Sequence, residues 1–413
     1  MCAGLRVVAM RRGKRMNNLW GIERMTLDRS IELTIESMEA YGPLYKHWAI
    51  AYSGGKDSSA CVTLIAYLIQ TGQITPPETL TVLYADTRME LTPLHASAMN
   101  LLQELEIRGI HTQIVLPSLD DRFFVYMFGR GVPAPKNRFR WCTSQIKIEP
   151  MEAALLALRE EYGEKFLMLT GVREGESAAR DQRITLSCSK DGAECGQGWF
   201  QVSTPASVAD TLAPLLHWRV CHIWDWLMGL TRHDHGFSTA MIAESYGGDE
   251  AEEINARTGC VGCNLASKDT ALDTILKLPQ WHYLAPLKRL RPLYQELMKP
   301  RYRIRKTGEI KKDGTLSANP MRMGPYHMDA RSYGLQQVCR IQYEVNDAAY
   351  HLGRPSIDLI NMEEYIRILQ LQNDNTWPDR WTGEEIHADV PVDQVVTKGI
   401  IQPLLSMETY YAS

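Results

Sequence analysis

The chain is short of several things that would have placed it quickly. No apolar run approaches the roughly 18 residues that a membrane span needs, so a partner role for the bilayer is not expected. Lys and Arg number 45 against 49 Asp and Glu, a net charge of -4, so no global basic excess advertises nucleic acid. The basic segment Met1 to Arg15 has no apolar h-region behind it and does not read as a secretory signal. A cytoplasmic location is the expectation that follows. No internal repeat and no low-complexity tract is present, which excludes solenoids and linker-rich architectures.

What is present suits a sizeable core: 413 residues, 45% of them hydrophobic, enough for two domains or one large one. Short apolar runs at His47–Tyr52, Thr79–Ala85, His111–Leu116 and Lys165–Thr170 read as strands. Helical periodicity separates them at Ser59–Gln70, Leu91–Ile107 and Glu149–Glu161. Strands that alternate with helices predict an α/β domain built on a parallel sheet, with ligands beyond the carboxyl ends of the strands. We expect an N-terminal extension over 1–30, the α/β domain over 31–270, and a mainly helical region over 271–413. Cys188 to Ser207, with Gly192, Gly196 and Gly198, reads as an irregular insertion. Leu215–Leu230, Leu272–Leu297 (interrupted by Pro286 and Pro292) and Met328–Ala349 are further expected helices.

The first predicted strand runs into Ser53-Gly54-Gly55-Lys56-Asp57-Ser58 and then a helix. Glycines let backbone amides approach an anion closely, and a helix N-terminus adds a favourable dipole. Lys56 supplies a positive charge, Ser53 and Ser58 supply hydroxyls, and Asp57 could cap the helix or help hold Mg²⁺. The spacing is not that of a Walker A loop. Asp86 ends the second strand, where it could meet an adenosine or a metal, or simply form a turn. Arg138 to Pro150 combines cations with Cys142, and Arg140 and Lys147 could bind phosphate or depress that thiol's pKa. Gly171, Arg173, Glu176 and Arg180 follow the fourth strand; alone, Glu176 and Arg180 could be a surface pair at helical spacing.

Nine cysteines in a reducing compartment are poor disulfide candidates. Cys260-Val-Gly-Cys263 is a C-x-x-C that suits zinc, an iron–sulfur cluster or redox work, with Cys142, Cys188 and Cys195 as further candidates. Cys61, Cys221 and Cys339 read as core. Lys299 to Lys312 holds seven Lys or Arg, a strip that could neutralise phosphates or be a solvated loop.

Ala51 to Ser58 resembles the loop of the PP-loop ATP pyrophosphatases, whose relatives include the phosphoadenosine phosphosulfate (PAPS) reductases. The resemblance implies the adenine nucleotide alpha hydrolase-like fold, with ATP and Mg²⁺ bound, pyrophosphate released and an adenylated intermediate formed. Arg140-Trp-Cys-Thr143 and the Gly171-x-Arg173-x-x-Glu176-Ser177-x-x-Arg180 segment match the same family. The ATP site implied is Ser53, Gly54, Gly55, Lys56, Asp57, Ser58, Asp86, Gly171, Arg173, Glu176 and Arg180, with Lys56, Asp57, Arg173 and Cys142 catalytic. Lys56 in a full loop favours ATP over PAPS. The chain ends Tyr-Tyr-Ala-Ser, without the terminal redox cysteine of PAPS reductases.

Together with Pro214-Leu-Leu-His-Trp218, Gly259 to Cys263 and Arg322 to Tyr326 followed by Arg331, these strings resemble the DndC-type sulfurtransferases of bacterial DNA phosphorothioation and their phage-defence relatives. That resemblance implies a [4Fe–4S] cluster on four cysteines, three of them matching Cys142, Cys260 and Cys263. The fourth family position falls within Tyr246 to Thr258, which contains no cysteine. Cys195 is the expected substitute, with zinc as the alternative metal. A cysteine desulfurase as sulfur donor, other defence or modification proteins, and DNA contacted through a complex are the implied partners.

Overall fold

The structure is a computed structural model and describes residues 25–137, 139–175, 208–230, 236–247, 259–266, 268–306, 323–391, 394–397 and 400–403. Helix α1 (Leu27–Tyr41) precedes strand β1 (His47–Tyr52). There follow α2 (Lys56–Gln70), β2 (Thr79–Ala85), α3 (Thr92–Ile107), β3 (His111–Val115), α4 (Glu149–Tyr162) and β4 (Phe166–Thr170). Strand β5 (Ala209–Leu212) closes the sheet. The order is β3-β2-β1-β4-β5 and every pairing is parallel. The inner strands β1 and β4 are mostly apolar because helices cover both faces of the sheet, as buried parallel sheets require, whereas the edge strands β3 and β5 carry polar residues. The expected parallel sheet flanked by helices is therefore the observed one.

Strand β1 lies between β2, which follows it in the chain, and β4, which comes two strands later. Connections leave to opposite sides at this point, so a crevice opens beyond the carboxyl ends of β1 and β4. The crevice is lined by the residues after β1 and those after β4, which are the Ser53–Ser58 loop and Gly171–Arg173.

Helix α2 begins at Lys56, three residues earlier than its apolar pattern suggests. The pattern marks only where the helix becomes buried, whereas its polar first turn lines the crevice. Strand β5 escapes detection from the sequence because Ala-Asp-Thr-Leu is short and lacks alternation. The expected helix over 215–230 is only the short α5 (Val220–Trp224) and one wider turn over Asp225–Leu230.

Helices α6 (Ala240–Ser245), α7 (Thr270–Ile275) and α8 (Leu290–Leu297) come next, with a 3-10 stretch Pro279–Arg289 ahead of α8 where Pro286 bars a regular α-helix. A small antiparallel sheet of β6 (Arg303–Arg305), β7 (Met323–Tyr326) and β8 (Ile386–His387) flanks the long α9 (Met328–Leu352) and α10 (Met362–Asn373). One apolar cluster contains Leu64 and Val82 of the sheet layer together with Tyr294, Leu335 and Ile368 beyond residue 270. The C-terminal helices thus share a core with the α/β layer. Among the described residues no helix is long and apolar enough to cross a membrane.

Candidate functional site

Gly54 takes a left-handed φ of +71°, a conformation that side chains resist, and this turns the chain out of β1. Gly55 is the N-cap of α2 and offers no side chain to the first helical amides. No N-cap side chain satisfies them; the first, Lys56 N–H, reaches the Tyr246 hydroxyl at 3.4 Å, and the turn opens on the crevice, the arrangement in which helix N-termini receive anions. Ser58 ties the loop to itself: its hydroxyl donates to Gly55 O at 3.0 Å, accepts from Ser53 N–H at 3.2 Å, and lies 3.1 Å from Ser53 Oγ.

Asp57 sits between two cations. Lys56 Nζ donates to its Oδ2 at 2.6 Å and Arg173 Nε donates to its Oδ1, also at 2.6 Å. Arg173 is buried, so removing one partner of this pair would leave an uncompensated buried charge and is costly. Asp57 therefore does not cap the helix, one of the roles its sequence position allows. Its carboxylate instead fixes Lys56 and Arg173 beside the loop. Gly171 makes that closeness possible: a Cβ there would lie 2.7 Å from Asp57 C and O and 2.8 Å from Ser58 N. Glu176 and Arg180 lie outside the described residues.

Beyond β2, Asp86 is buried and its Oδ1 accepts the Arg88 amide at 2.8 Å, which forms a tight turn with Arg88 at φ +63°. Glu90 closes the turn from the other side by accepting Thr87 N–H, Thr87 Oγ1–H and Met89 N–H. Burial, with Asp86 alongside, pushes the Glu90 carboxyl up to about 7. The Arg88 side chain reaches α10, where Nε donates to Glu364 at 3.3 Å, and the segment ahead of it, where an Nη donates to Asp358 at 2.9 Å. Arg122, after β3, also bonds Glu364 at 3.3 Å and Glu363 at 2.9 Å. The buried Glu364 thus anchors the loops behind two adjacent strands to the C-terminal helices. Sequence reasoning missed Arg88, Glu90 and Glu364; the Thr-x-x-Glu spacing of Thr87 and Glu90 and the Asn-x-x-Glu spacing of Asn361 and Glu364 are the local signals that could have flagged the two carboxylates.

The thiols form a second neighbourhood. Cys142 lies in the single helical turn Trp141–Thr143 that leads through a wider turn into α4. The Cys260–Cys263 turn closes with Cys263 N–H donating to Cys260 O at 3.1 Å, and Val261 N–H donates to Met89 O at 2.7 Å. This second bond brings the C-x-x-C beside the Glu90 turn. The expected depression of the Cys142 pKa by Arg140 and Lys147 is not found. Burial raises the Cys142 thiol, and the nearby Cys263 adds to the effect. Arg140 is turned away onto Asn137.

The Cys260 thiol is pushed up to about 12, first by burial and then by Glu90, Cys263 and Cys142. Cys260 nevertheless keeps an accessible surface. Three soft donors in electrostatic contact suit a thiophilic ion or cluster. Among the described residues, however, no three metal-ligating side chains close into one set, and Cys195 and Cys188 lie outside those residues. No reaction step is therefore routed through a cluster.

The 129–137 loop ahead of Cys142 is braced from the C-terminal region. Ala134 N–H donates to the Tyr326 hydroxyl at 2.9 Å, and Tyr326 N–H donates to Gly131 O at 2.8 Å. The buried Arg331 donates to Gly129 O, Tyr326 O and Thr376 O and stacks on Trp377. Tyr326 and Arg331 are therefore framework, while Arg322 lies outside the described residues.

The basic strip needs correction. Arg303 and Arg305, at the centre of Lys299–Lys312, are buried and donate to backbone carbonyls of Gly324, Ala388 and Val390. They face inward because β6 is the central strand of its small sheet. Lys299 and Arg301 pair with Glu296, and Lys306 pairs with Glu385. The described part of the strip therefore offers no run of unpaired cations to a phosphate backbone.

A parallel sheet in this order, with a glycine-rich loop behind β1 and helices on its faces, is a PP-loop, PAPS reductase-like fold. Residues 47–237 match the profile described as the phosphoadenosine phosphosulfate reductase domain. Two uncharacterized proteins of Methanocaldococcus jannaschii are similar, at 24% identity over 46% of this chain and 25% over 49%. The matches cover 32% and 43% of those proteins, so the chain spans less than half the length of the curated relatives it matches. Among solved structures, a PAPS reductase from Candida auris is similar at 10% identity, with 57% of this chain and 96% of that one covered and a TM-score of 0.34. A tRNA thiolase from Methanococcus maripaludis, solved with its 4Fe–4S cluster, aligns at 16% identity over 67% and 83% of the two chains, with a TM-score of 0.32.

Proposed function

We propose that the chain is an ATP pyrophosphatase-type sulfurtransferase that adenylates a nucleic-acid phosphate for sulfur insertion, as in DNA phosphorothioation and phage defence. The observation that carries the reading is the crevice behind β1. There the first turn of α2, with no side chain at its N-cap, stands beside Lys56 and Arg173, and Asp57 holds both cations in place. Such a cradle suits a polyphosphate, and Mg²⁺ would arrive with the nucleotide.

In the first step an acceptor oxygen attacks the α-phosphorus of ATP. The bond from that phosphorus to its bridging oxygen breaks, and the electron pair leaves with pyrophosphate. Lys56 and Arg173 stabilise the charge that grows on the leaving group. Sulfur, supplied as a persulfide by a cysteine desulfurase, then displaces AMP. A second thiolate then attacks the inner sulfur of the adduct, the sulfur–sulfur bond breaks, the phosphorothioate leaves with the electron pair, and the two thiols end as a disulfide. Cys142, Cys260 and Cys263 are the thiols we assign to sulfur handling. They would also be ligands of a [4Fe–4S] cluster, or of zinc, with Cys195 as the fourth. Partner proteins of a modification or defence complex would present the DNA.

Release of pyrophosphate from ATP tests the reading, with Lys56→Ala as the control. Turnover that falls at least 100-fold in the variant, from a wild type that produces pyrophosphate, supports it; equal turnover in both defeats it. The match of residues 47–237 to the reductase profile favours a second reading, reduction of a sulfonucleotide. Sulfite formed from PAPS, with no pyrophosphate formed from ATP, would select that reading instead.

A further inference from the structure

Tyr246 follows α6 and is buried against Trp224, edge to face, with ring centroids 5.3 Å apart. Its ring lies 5.6 Å from Lys56 Nζ, a cation–π position. Its hydroxyl accepts the backbone N–H of Lys56, the first helical amide of α2, at 3.4 Å. A Cβ built on Gly55 would lie 3.5 Å from the same oxygen. The phenol oxygen thus stands where a helix N-terminus would receive an anion's oxygen, and the Lys56 amide is already given to it.

We propose that Tyr246 is a place-holding residue of the phosphate site: its hydroxyl holds the place of a phosphate oxygen and yields it when a polyphosphate binds, which lowers the affinity of every ligand that takes the amide. This rests on the reading of Ser53–Ser58 as the ATP site. A neutral phenol at 3.4 Å is a weaker acceptor than a charged phosphate oxygen, which makes shorter, charge-assisted bonds. Any ligand that takes the amide gives up the same phenol contact, so the exchange weakens phosphate binding by a fixed factor and leaves unaffected a ligand that does not take it. The ring itself keeps its packing on Trp224 and beside Lys56.

The test compares Tyr246→Phe, Lys56→Ala and wild type by calorimetric titration with inorganic tripolyphosphate, AMP and ATP–Mg²⁺. Tyr246→Phe removes one oxygen and leaves the ring in place, so an unchanged thermal midpoint certifies the fold. The expected result is tripolyphosphate and ATP binding about 3- to 10-fold tighter in Tyr246→Phe, the size of one exchanged hydrogen bond. AMP should gain by the same factor or less, and Lys56→Ala should weaken all binding. Equal or weaker binding in Tyr246→Phe, with Lys56→Ala impaired, overturns this inference and leaves the ATP site standing. Binding that is unaffected by Lys56→Ala overturns both.

Discussion

Asp57 and Arg173 meet at 2.6 Å across the seam between the first turn of α2 and the end of β4, and the same carboxylate holds Lys56 at 2.6 Å. One anion therefore restrains both cations of the cradle. In Asp57→Asn the two cations keep a polar neighbour but lose their counter-charge. Affinity for inorganic pyrophosphate should rise several-fold, while the rate of pyrophosphate release from ATP falls at least 10-fold because Arg173 is no longer aimed. Calorimetry with pyrophosphate and a steady-state assay check the two halves. Weaker pyrophosphate binding in the variant would show that Asp57 does not restrain these cations.

Gly171→Ala tests the seam itself. The new Cβ would stand 2.7 Å from Asp57 backbone atoms, which cannot swing aside as a side-chain tip can. Forced contacts of this kind cost about 1–3 kcal/mol. The variant should unfold at lower urea by that amount and lose most ATP turnover, since α2 must move away from β4. Wild-type values of both would mean that the two elements do not approach this closely.

These two sites show what could be read from the chain alone. The SGGKDS string, its strand and its helix were legible because a glycine pair, a lysine and an apolar run are local signals. Arg173 was legible because it follows a strand. The Asp57 bridge was not, since it joins residues 116 apart and depends on β4 lying beside β1. The shared core across residue 270 was equally hidden: amphipathic helices announce a buried face without naming its partner. The basic strip misled because composition counts Arg303 and Arg305 as charge, whereas a central strand position turns them inward.

Glu364 is a long-range knot of the same kind. It is buried, bonds Arg88 and Arg122, and also closes the capping box of α10 with Asn361. Removing one partner of a buried charge cluster typically costs about 3–5 kcal/mol. Glu364→Ala should lose an amount of that order in urea unfolding, whereas the exposed neighbour Glu363→Ala loses under about 1 kcal/mol. Equal effects of the two would place the anchoring elsewhere.

Glu90 sets a pH dependence. Its carboxyl is raised from 4.5 to about 7, chiefly by burial. Between those values the folded chain holds a proton that the unfolded chain has released, so stability falls as pH rises and levels off above about 7. The slope approaches about 1.4 kcal/mol per pH unit at most. Glu90→Gln should flatten the profile of urea stability across pH 5–7 relative to wild type. A variant that keeps the wild-type slope would assign the effect to another group.

The thiols make the last prediction. Cys260 is accessible but its thiol is pushed up to about 12, and Cys142 is raised by burial. Alkylation proceeds through the thiolate, so metal-free protein should label slowly at both positions at pH 8, well behind a free thiol such as glutathione. The rate at Cys260 should climb about tenfold per pH unit between 8 and 10. A thiophilic metal stabilises thiolates, so protein purified without oxygen should carry iron and sulfide, or zinc. Cys142→Ser, Cys260→Ser and Cys263→Ser should each lower that content. Mass-spectrometric labelling with elemental analysis reads both. Fast labelling of Cys260 at pH 8, together with metal content unchanged in all three variants, would remove these cysteines from any sulfur or metal role.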